Sequence, residues 1–435
     1  MLRNAAIGAG TGAVFRFEAF MATIAAHRPD DGPDSAHAWM RLVVCALITT
    51  IGGVGFWSSV VVLPAVEVDF GASRGGASLP YFALMTGFAV GGIVMGRLSD
   101  RFGVRLTLSI GLVSLAIGYT LAGLSTSLWQ FALIHGVFIG GAGASAIYGP
   151  LIADVSRWFD RRRGIAVSIV ACGSYFAGAV WPSAIQAMVE QWDWRTAYLA
   201  IGVICLVTIL PLTLFLRRPA PDEPVVTRRP VRRSGSQSAA DVDLPLPVLQ
   251  ALLIVAGVAC CVAMAMPQVH IVALCTQLGY GAQAGVQMLS LMLVTGIVSR
   301  LFFGMVADRI GPLPTLLISS ILQGLSLFLF LPFDGLAPLY LVSALFGLAQ
   351  GGIVPTYALV IRAFFPAKEA AGRIGIVLSA TLIGMALGGW MSGEIFDYFY
   401  SYGPAFMNGI AWNLLNLSIA TFLFLRLGTG KLAPA

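Results

Sequence analysis

Charge is what this sequence has least of. Lys, Arg, Asp and Glu together make up 11% of its 435 residues, against about 25% in a soluble globular domain. There are four histidines and six cysteines, and none of them stands in a CxxC or Cys/His spacing. Neither a metal centre nor a disulfide framework is therefore expected, and the cysteines, all inside apolar stretches, read as small packing residues. The glycine-rich runs lack the Lys-Ser/Thr of a phosphate loop and the strand–turn–helix setting such a loop needs. Hydrolase, kinase and redox motifs are missing as well. Taken together, this points away from an enzyme and calls for no cofactor. No ten-residue segments of alternating polarity recur, which argues against a transmembrane barrel.

What is present is apolar bulk. Hydrophobic residues make up 58% of the chain, and the mean hydropathy is +0.86. Formal charges divide this bulk into uncharged runs over 42–66, 75–96, 106–153, 164–189, 196–216, 244–299, 310–333, 335–361, 374–393 and 398–425. A span needs roughly 20 apolar residues. The runs 106–153 and 244–299 are too long for one helix each, and each splits at a turn-prone stretch, near 124–128 and near 279–285. Twelve helices follow, because lipid admits only helices or closed barrels. The expected fold class is an all-α membrane protein of twelve transmembrane helices in two six-helix halves.

The net charge of +6 is a matter of topology, and nucleic acid is not an expected partner. With the amino terminus in the cytoplasm, cytoplasmic loops, tails and helix ends hold 23 of the 26 Lys and Arg residues. The outer loops hold Arg74 and Arg195, and Arg300 alone remains inside a span. The positive-inside rule thus places both termini in the cytoplasm of a multi-pass protein of the cell membrane. The expected segments are a cytoplasmic tail (1–39, with Met21 and Met40 as alternative starts), a first half (40–217), a linker (218–246), a second half (247–427) and a short tail (428–435). The linker is rich in Pro, Ser and Arg and reads as a flexible inside loop.

Two segments match across that linker. GRLSDRFGVR runs from Gly96 to Arg105 and GMVADRIGPL from Gly304 to Leu313. Gly96/Gly304, Asp100/Asp308, Arg101/Arg309 and Gly103/Gly311 all stand 208 residues apart, each set in the loop after the second helix of a half. Helices 4 and 10 echo each other more loosely, with GVFIGGAGASAIY ending at Tyr148 and GLAQGGIVPTY at Tyr357. A six-plus-six duplication follows, with a pathway between the halves. This paired GxLxDRxGxR loop resembles the signature of the major facilitator superfamily. On that resemblance Gly96, Asp100, Arg101, Gly103 and Arg105, with Gly304, Asp308, Arg309 and Gly311, form a conformational latch. Asp100 would pair with arginines or cap a neighbouring helix, and the glycines would permit tight turns and close helix approach.

A narrower resemblance rests on WFDRRRGIAVSIVACGSYFAGAVWP, Trp158 to Pro182. It is similar to the fifth-helix signature of monocarboxylate and oxalate/formate porters, whereas the first-helix segment TTIGGVGFWSS (Thr49–Ser59) reproduces its counterpart poorly. Arg300 lies eight residues before Asp308. A guanidinium at that depth costs about 3 kcal/mol, and its fork suits a carboxylate. In the porters resembled, an arginine at the matching place in helix 8 binds the substrate carboxylate. The oxalate porters carry a second cation in helix 11, but none interrupts 374–393 here, which favours a monocarboxylate. Tyr148 and Tyr357 are candidate hydroxyl donors to the same anion, their alternative being membrane-interface tyrosines. His270 and Gln268 follow Pro267, which is expected to break helix 7 and expose backbone to the cavity. His270 is a candidate proton or substrate contact, and a satisfied core histidine is its alternative, as it is for His135.

The expected function is secondary active transport of a small organic anion across the lipid bilayer by alternating access, with protons or a counter-anion as the coupled species. The alternatives are an exporter of apolar or drug-like solutes and a non-transporting membrane sensor on the same fold.

Overall fold

The computed structural model describes residues 33–160, 162–216, 218 and 244–428. Most of the expected amino-terminal tail, the interior of the linker and nearly all of the carboxy-terminal tail lie outside the described residues. Within them are twelve helices long and apolar enough to cross a membrane. They are α1 (Ala36–Val61), α2 (Arg74–Phe102), α3 (Val104–Gly123), α4 (Leu128–Arg157), α5 (Arg163–Gln191) and α6 (Trp194–Leu214), then α7 (Leu246–Gln277), α8 (Gly281–Ile310), α9 (Pro312–Leu329), α10 (Leu336–Phe364), α11 (Gly372–Phe399) and α12 (Gly403–Leu427). A short helix, Leu63–Asp69, continues α1.

The two long runs divide where turn chemistry placed the breaks. α3 gives way to α4 between Gly123 and Leu128, and α7 to α8 through Gly279 and Gly281 at φ of +81° and +80°. The two halves repeat each other in backbone detail. α2 and α8 end at Phe102 and Ile310, and the next residues, Gly103 and Gly311, adopt φ/ψ of 83°/160° and 91°/165°. Inside each half the same helix pair packs backbone to backbone. Gly87 of α2 lies against the Gly136 carbonyl of α4, and Gly347 of α10 lies against the Met292 carbonyl of α8. In lipid, close van der Waals approach of this kind is a main source of helix association.

Two expectations are corrected. The first helix begins at Ala36, capped by the Ser35 side chain, not at the end of a tail reaching residue 39. Arg41 does not stop the helix, because its charge is neutralised within the bundle. The Arg41 guanidinium bonds both Asp154 carboxylate oxygens, at 2.7 and 3.0 Å, with both side chains fully buried. It also donates to the Arg218 carbonyl and lies over Trp158. The second correction concerns Pro267. α7 runs through it unbroken, with Ala259–Cys275 buried throughout. Proline removes one ladder hydrogen bond, but enclosure by α1, α8, α11 and α12 holds the helix together.

The halves meet along α2 with α11 and α5 with α8, while α7 touches α1 and its short continuation. Turns after even-numbered helices lie at one end of the bundle, with the linker, and turns after odd-numbered helices lie at the other. These ends are called the linker face and the far face below.

Candidate substrate site

A cavity of about 1190 Å³ lies between the halves. Gly96, Arg97 and Asp100 at the end of α2, with Gly372 and Gly375 at the start of α11, line its mouth, so it opens toward the linker face. Its walls are mainly apolar and include the aromatic and sulfur-bearing side chains of Phe56, Trp57, Tyr81, Phe88, Met264 and Met385.

Arg300 enters this apolar cavity from α8, and backbone irregularities in two other helices hold it. α5 is interrupted at Cys172, where the amides of Tyr175 and Phe176 both turn to the Cys172 carbonyl. The Ala171 carbonyl is thereby released from the helical ladder by Tyr175. It accepts from the Tyr148 hydroxyl at 2.7 Å and from Arg300 Nη1 at 3.2 Å. α10 is interrupted at Gly351–Gly352, and Pro355 has no N–H to offer the Gly351 carbonyl. That carbonyl accepts from Arg300 Nε at 3.4 Å. The guanidinium carbon also stands 4.4 Å from the centre of the Tyr175 ring, a cation–π arrangement. No carboxylate pairs with Arg300 among the described residues. An arginine has five N–H donors. Two are committed to carbonyls, which leaves three without a charged partner.

The structure brings together three of the five residues expected at the substrate. Arg300, Tyr148 and Gln268 line the cavity, and Gln268 donates to Gln350 at 2.7 Å. Tyr357 does not join them. It is fully buried, and its hydroxyl donates to Asn416 at 2.8 Å between α10 and α12. The loose echo between helices 4 and 10 therefore preserves the residue type without the place in the cavity. His270 is also fully buried outside the cavity, between the Tyr402 hydroxyl at 3.1 Å and the Gly389 carbonyl at 2.7 Å. As a direct substrate contact it is displaced by this packing. His135 is a satisfied core histidine, bonded to the Phe131 carbonyl and the Tyr198 hydroxyl.

The repeated segments, expected in loops, lie mostly in the last turns of α2 and α8, with only Gly103 and Gly311 outside the helices, and they are largely exposed in this conformation. Asp100, Arg101, Arg105, Asp308 and Arg309 are exposed, and Asp100 and Asp308 form no ion pair among the described residues. Gly103 and Gly311 make the expected turns. The close helix approach expected at Gly96 and Gly304 is not found, since a Cβ at either would meet nothing within 4 Å. With the linker-face mouth open, the contacts a latch would make have no partner to meet.

A model of the Major Facilitator Superfamily matches residues 45–299 and 251–434. The chain belongs to this superfamily. It is a multi-pass membrane transporter and not an enzyme. An MFS transporter, asaE, of Aspergillus flavus is 27% identical over 82% of this chain and 80% of its own length. The Agnestins efflux protein AgnL12 of Paecilomyces divaricatus is 22% identical over 91% and 89%. Monocarboxylate transporter 13 of Bos taurus is 26% identical over 79% and 77%. Among solved structures, a bacterial homologue of the human lysosomal transporter Spinster superposes with a TM-score of 0.68 at 15% identity, covering 90% of this chain and 97% of that one. Such identity speaks for the superfamily fold alone.

Sequence reasoning missed three features of the site. Tyr175 under Arg300 and the Ala171 carbonyl sit in the ACGSYF stretch, whose Cys-Gly pair was the available signal for a helix break. The carbonyl freed at Gly351 was signalled by Pro355 four residues on. The buried Arg41–Asp154 pair left no local trace, because its members are 113 residues apart.

Proposed function

We propose that this transporter carries an organic monocarboxylate with an apolar body, by alternating access, and that Arg300 is its anion site. The observation that carries this reading is an arginine deep in a membrane span, held by two carbonyls and the Tyr175 ring, with no carboxylate paired to it among the described residues. Removing a guanidinium from water is costly unless an anion and further hydrogen bonds compensate. A substrate carboxylate supplies both through a bidentate contact. Tyr148, whose hydroxyl oxygen retains acceptor capacity while its proton goes to Ala171, fixes the carbonyl beneath the guanidinium. Gln268 offers a polar group at the inner end, and the aromatic and methionine side chains of the walls suit a hydrocarbon or aromatic portion. The linker face is then cytoplasmic, by the positive-inside distribution, and the protein acts in the cell membrane. Proton symport and anion exchange are the two ways of coupling such a substrate.

A second reading, export of neutral apolar solutes, is favoured by the same walls and by a relative named as an efflux protein. Matched probe pairs separate the two. Binding of benzoate, benzamide, octanoate, octanamide and lactate to purified protein is followed by tryptophan fluorescence, to which Trp57 in the cavity wall contributes, and counterflow is measured in proteoliposomes. Carboxylates outcompeting their amides, with octanoate or benzoate above lactate, supports the anion reading. Amides binding as tightly as acids would establish the exporter reading instead.

A further inference from the structure

Beyond the cavity, at the far face, one hydrogen-bonded chain ties the halves together. Asp397, near the end of α11, caps α2 of the other half, accepting from the Arg74 amide at 2.8 Å and the Gly75 amide at 2.7 Å. A carboxylate at a helix amino terminus satisfies free N–H groups and complements the helix dipole. The Arg74 side chain pairs with Glu67 at 2.7 Å and donates to the Tyr402 hydroxyl at 2.8 Å. Its guanidinium also lies 4.7 Å from the Phe396 ring centre. Gly75 and Gly393 permit the approach, since a Cβ on Gly393 would stand 2.8 Å from the Arg74 carbonyl. Tyr402 in turn meets His270 at 3.1 Å. Glu67, Arg74 and Gly75 belong to the first half, and His270, Gly389, Asp397 and Tyr402 to the second.

The geometry points to His270 as the residue through which a proton opens the far face, acting on the Tyr402–Arg74–Asp397 closure rather than on the substrate. His270 Nε2 faces the Gly389 carbonyl, which only accepts, so Nε2 carries the ring hydrogen and the neutral ring has a bare Nδ1. Tyr402 accepts from Arg74, so its own proton is the one donated to that Nδ1. A proton added at Nδ1 turns the acceptor into a donor. The Tyr402 oxygen then faces two donors while its own proton has lost its acceptor. A second cation now stands next to Arg74 in the same enclosed chain. The charged groups around His270 are Arg74 on α2, Glu67 on the continuation of α1 and Asp397 on α11, with the Tyr402 hydroxyl from α12. Both carboxylates are already bonded to Arg74 or to the α2 amides, so the new imidazolium gains no free counter-ion from them. Glu394, on the same end of α11, is bonded to Trp390. Protonation therefore favours separation of α2 from α11 and α12, and deprotonation restores the closure.

This inference rests on the alternating-access reading but not on Arg300 or on any anion, and its test contains no substrate. Spin labels placed by Val68→Cys and Gln283→Cys, on opposite halves at the far face, report the opening as an interspin distance in liposomes between pH 8.5 and 5. The long-distance population should rise at least about fivefold as pH falls, the lower end of ordinary coupling between sites. His270→Gln should abolish the pH response while the purified protein keeps its elution profile and Tm. Tyr402→Phe, which leaves His270 in place but cuts its link to Arg74, should raise the open population at pH 8.5 and flatten the response. A wild-type distance distribution independent of pH would overturn the inference. So would a pH response that survives in the His270→Gln variant. An opening unchanged by pH together with tight carboxylate binding would sink the proton-operated closure and leave the anion site standing.

Discussion

Replacing Arg300 separates an anion site from a structural arginine, and the expected magnitudes follow from its bonds. The guanidinium gives two N–H groups to the Ala171 and Gly351 carbonyls, and a substrate carboxylate would take two of the other three. A hydrogen bond to a charged group is worth about 1.5–3 kcal/mol. Arg300→Lys keeps the charge but not the fork, so it loses about one such bond, or roughly tenfold to a hundredfold in affinity at about 1.4 kcal/mol per decade. Arg300→Gln loses the fork and the charge, and binding should fall by more than about a hundredfold. Stability should move in the opposite sense or hardly at all. The Gly351 carbonyl is orphaned, because Pro355 cannot donate to it, at a cost of about 1–3 kcal/mol. The Ala171 carbonyl keeps Tyr148. Against that loss stands the relief of an uncompensated cation. The assay is equilibrium binding of benzoate and octanoate by tryptophan fluorescence at matched protein density, with a thermal melt alongside. Near wild-type affinity in the Gln variant, or a Lys variant indistinguishable from wild type, would refute the anion-site reasoning. A Gln variant that no longer folds would assign the arginine to structure.

Three further outcomes are expected. Arg41→Met or Asp154→Asn alone strands a fully buried charge and should cost about 3–5 kcal/mol, while Arg41→Met with Asp154→Leu should recover most of it, read as Tm in detergent; equal Tm for single and double variants would contradict the pairing. Asp100→Asn should slow counterflow several-fold yet leave probe binding within about twofold, because Asp100 sits unpaired at an open mouth and acts when that mouth closes; lost binding with normal exchange would give Asp100 a substrate role. A membrane-impermeant maleimide applied to intact cells should label Thr126→Cys, exposed in the α3–α4 turn, and spare Ser236→Cys in the linker, and the reverse pattern would invert the topology.

The helices were legible because the bilayer makes the rule one-dimensional. A span must be apolar for about 20 residues wherever its partners lie, so gaps between charges located most of the helices to within about six residues of their observed bounds, the exception being the end of α8, which runs on past Arg300 to Ile310. The repeated loop was legible for a related reason: Gly103 and Gly311 need a positive φ, and few residues other than glycine supply it. The first boundary was misplaced where that rule fails, since Arg41 is carried into α1 by a carboxylate from α4. Charge marks the end of a span only when its counter-charge is water. Arg300 announced itself by the same logic in reverse, as the one cation that the charge pattern leaves inside a span.

The remaining site residues were hidden because their roles depend on which carbonyls are free, and a carbonyl is freed by what happens four residues later. Tyr148 and Tyr357 have equivalent places in the repeat, yet only Tyr148 faces a released carbonyl, that of Ala171. Tyr357 faces Asn416 instead. His270 shows the same dependence. Its place after Pro267 suggested an exposed, broken helix, but the helix is intact and the imidazole is spent on Tyr402 and Gly389. The duplication thus copies the scaffold twice, while the residues proposed to carry function lie where the copies differ: an arginine in α8 with none at the equivalent place in α2, and a hydrogen-bonded histidine at the far end of α7. On that proposal the asymmetry gives the cavity its charge at one level and its closure at another. A carrier whose two halves were chemically identical would offer the substrate no preferred orientation between them.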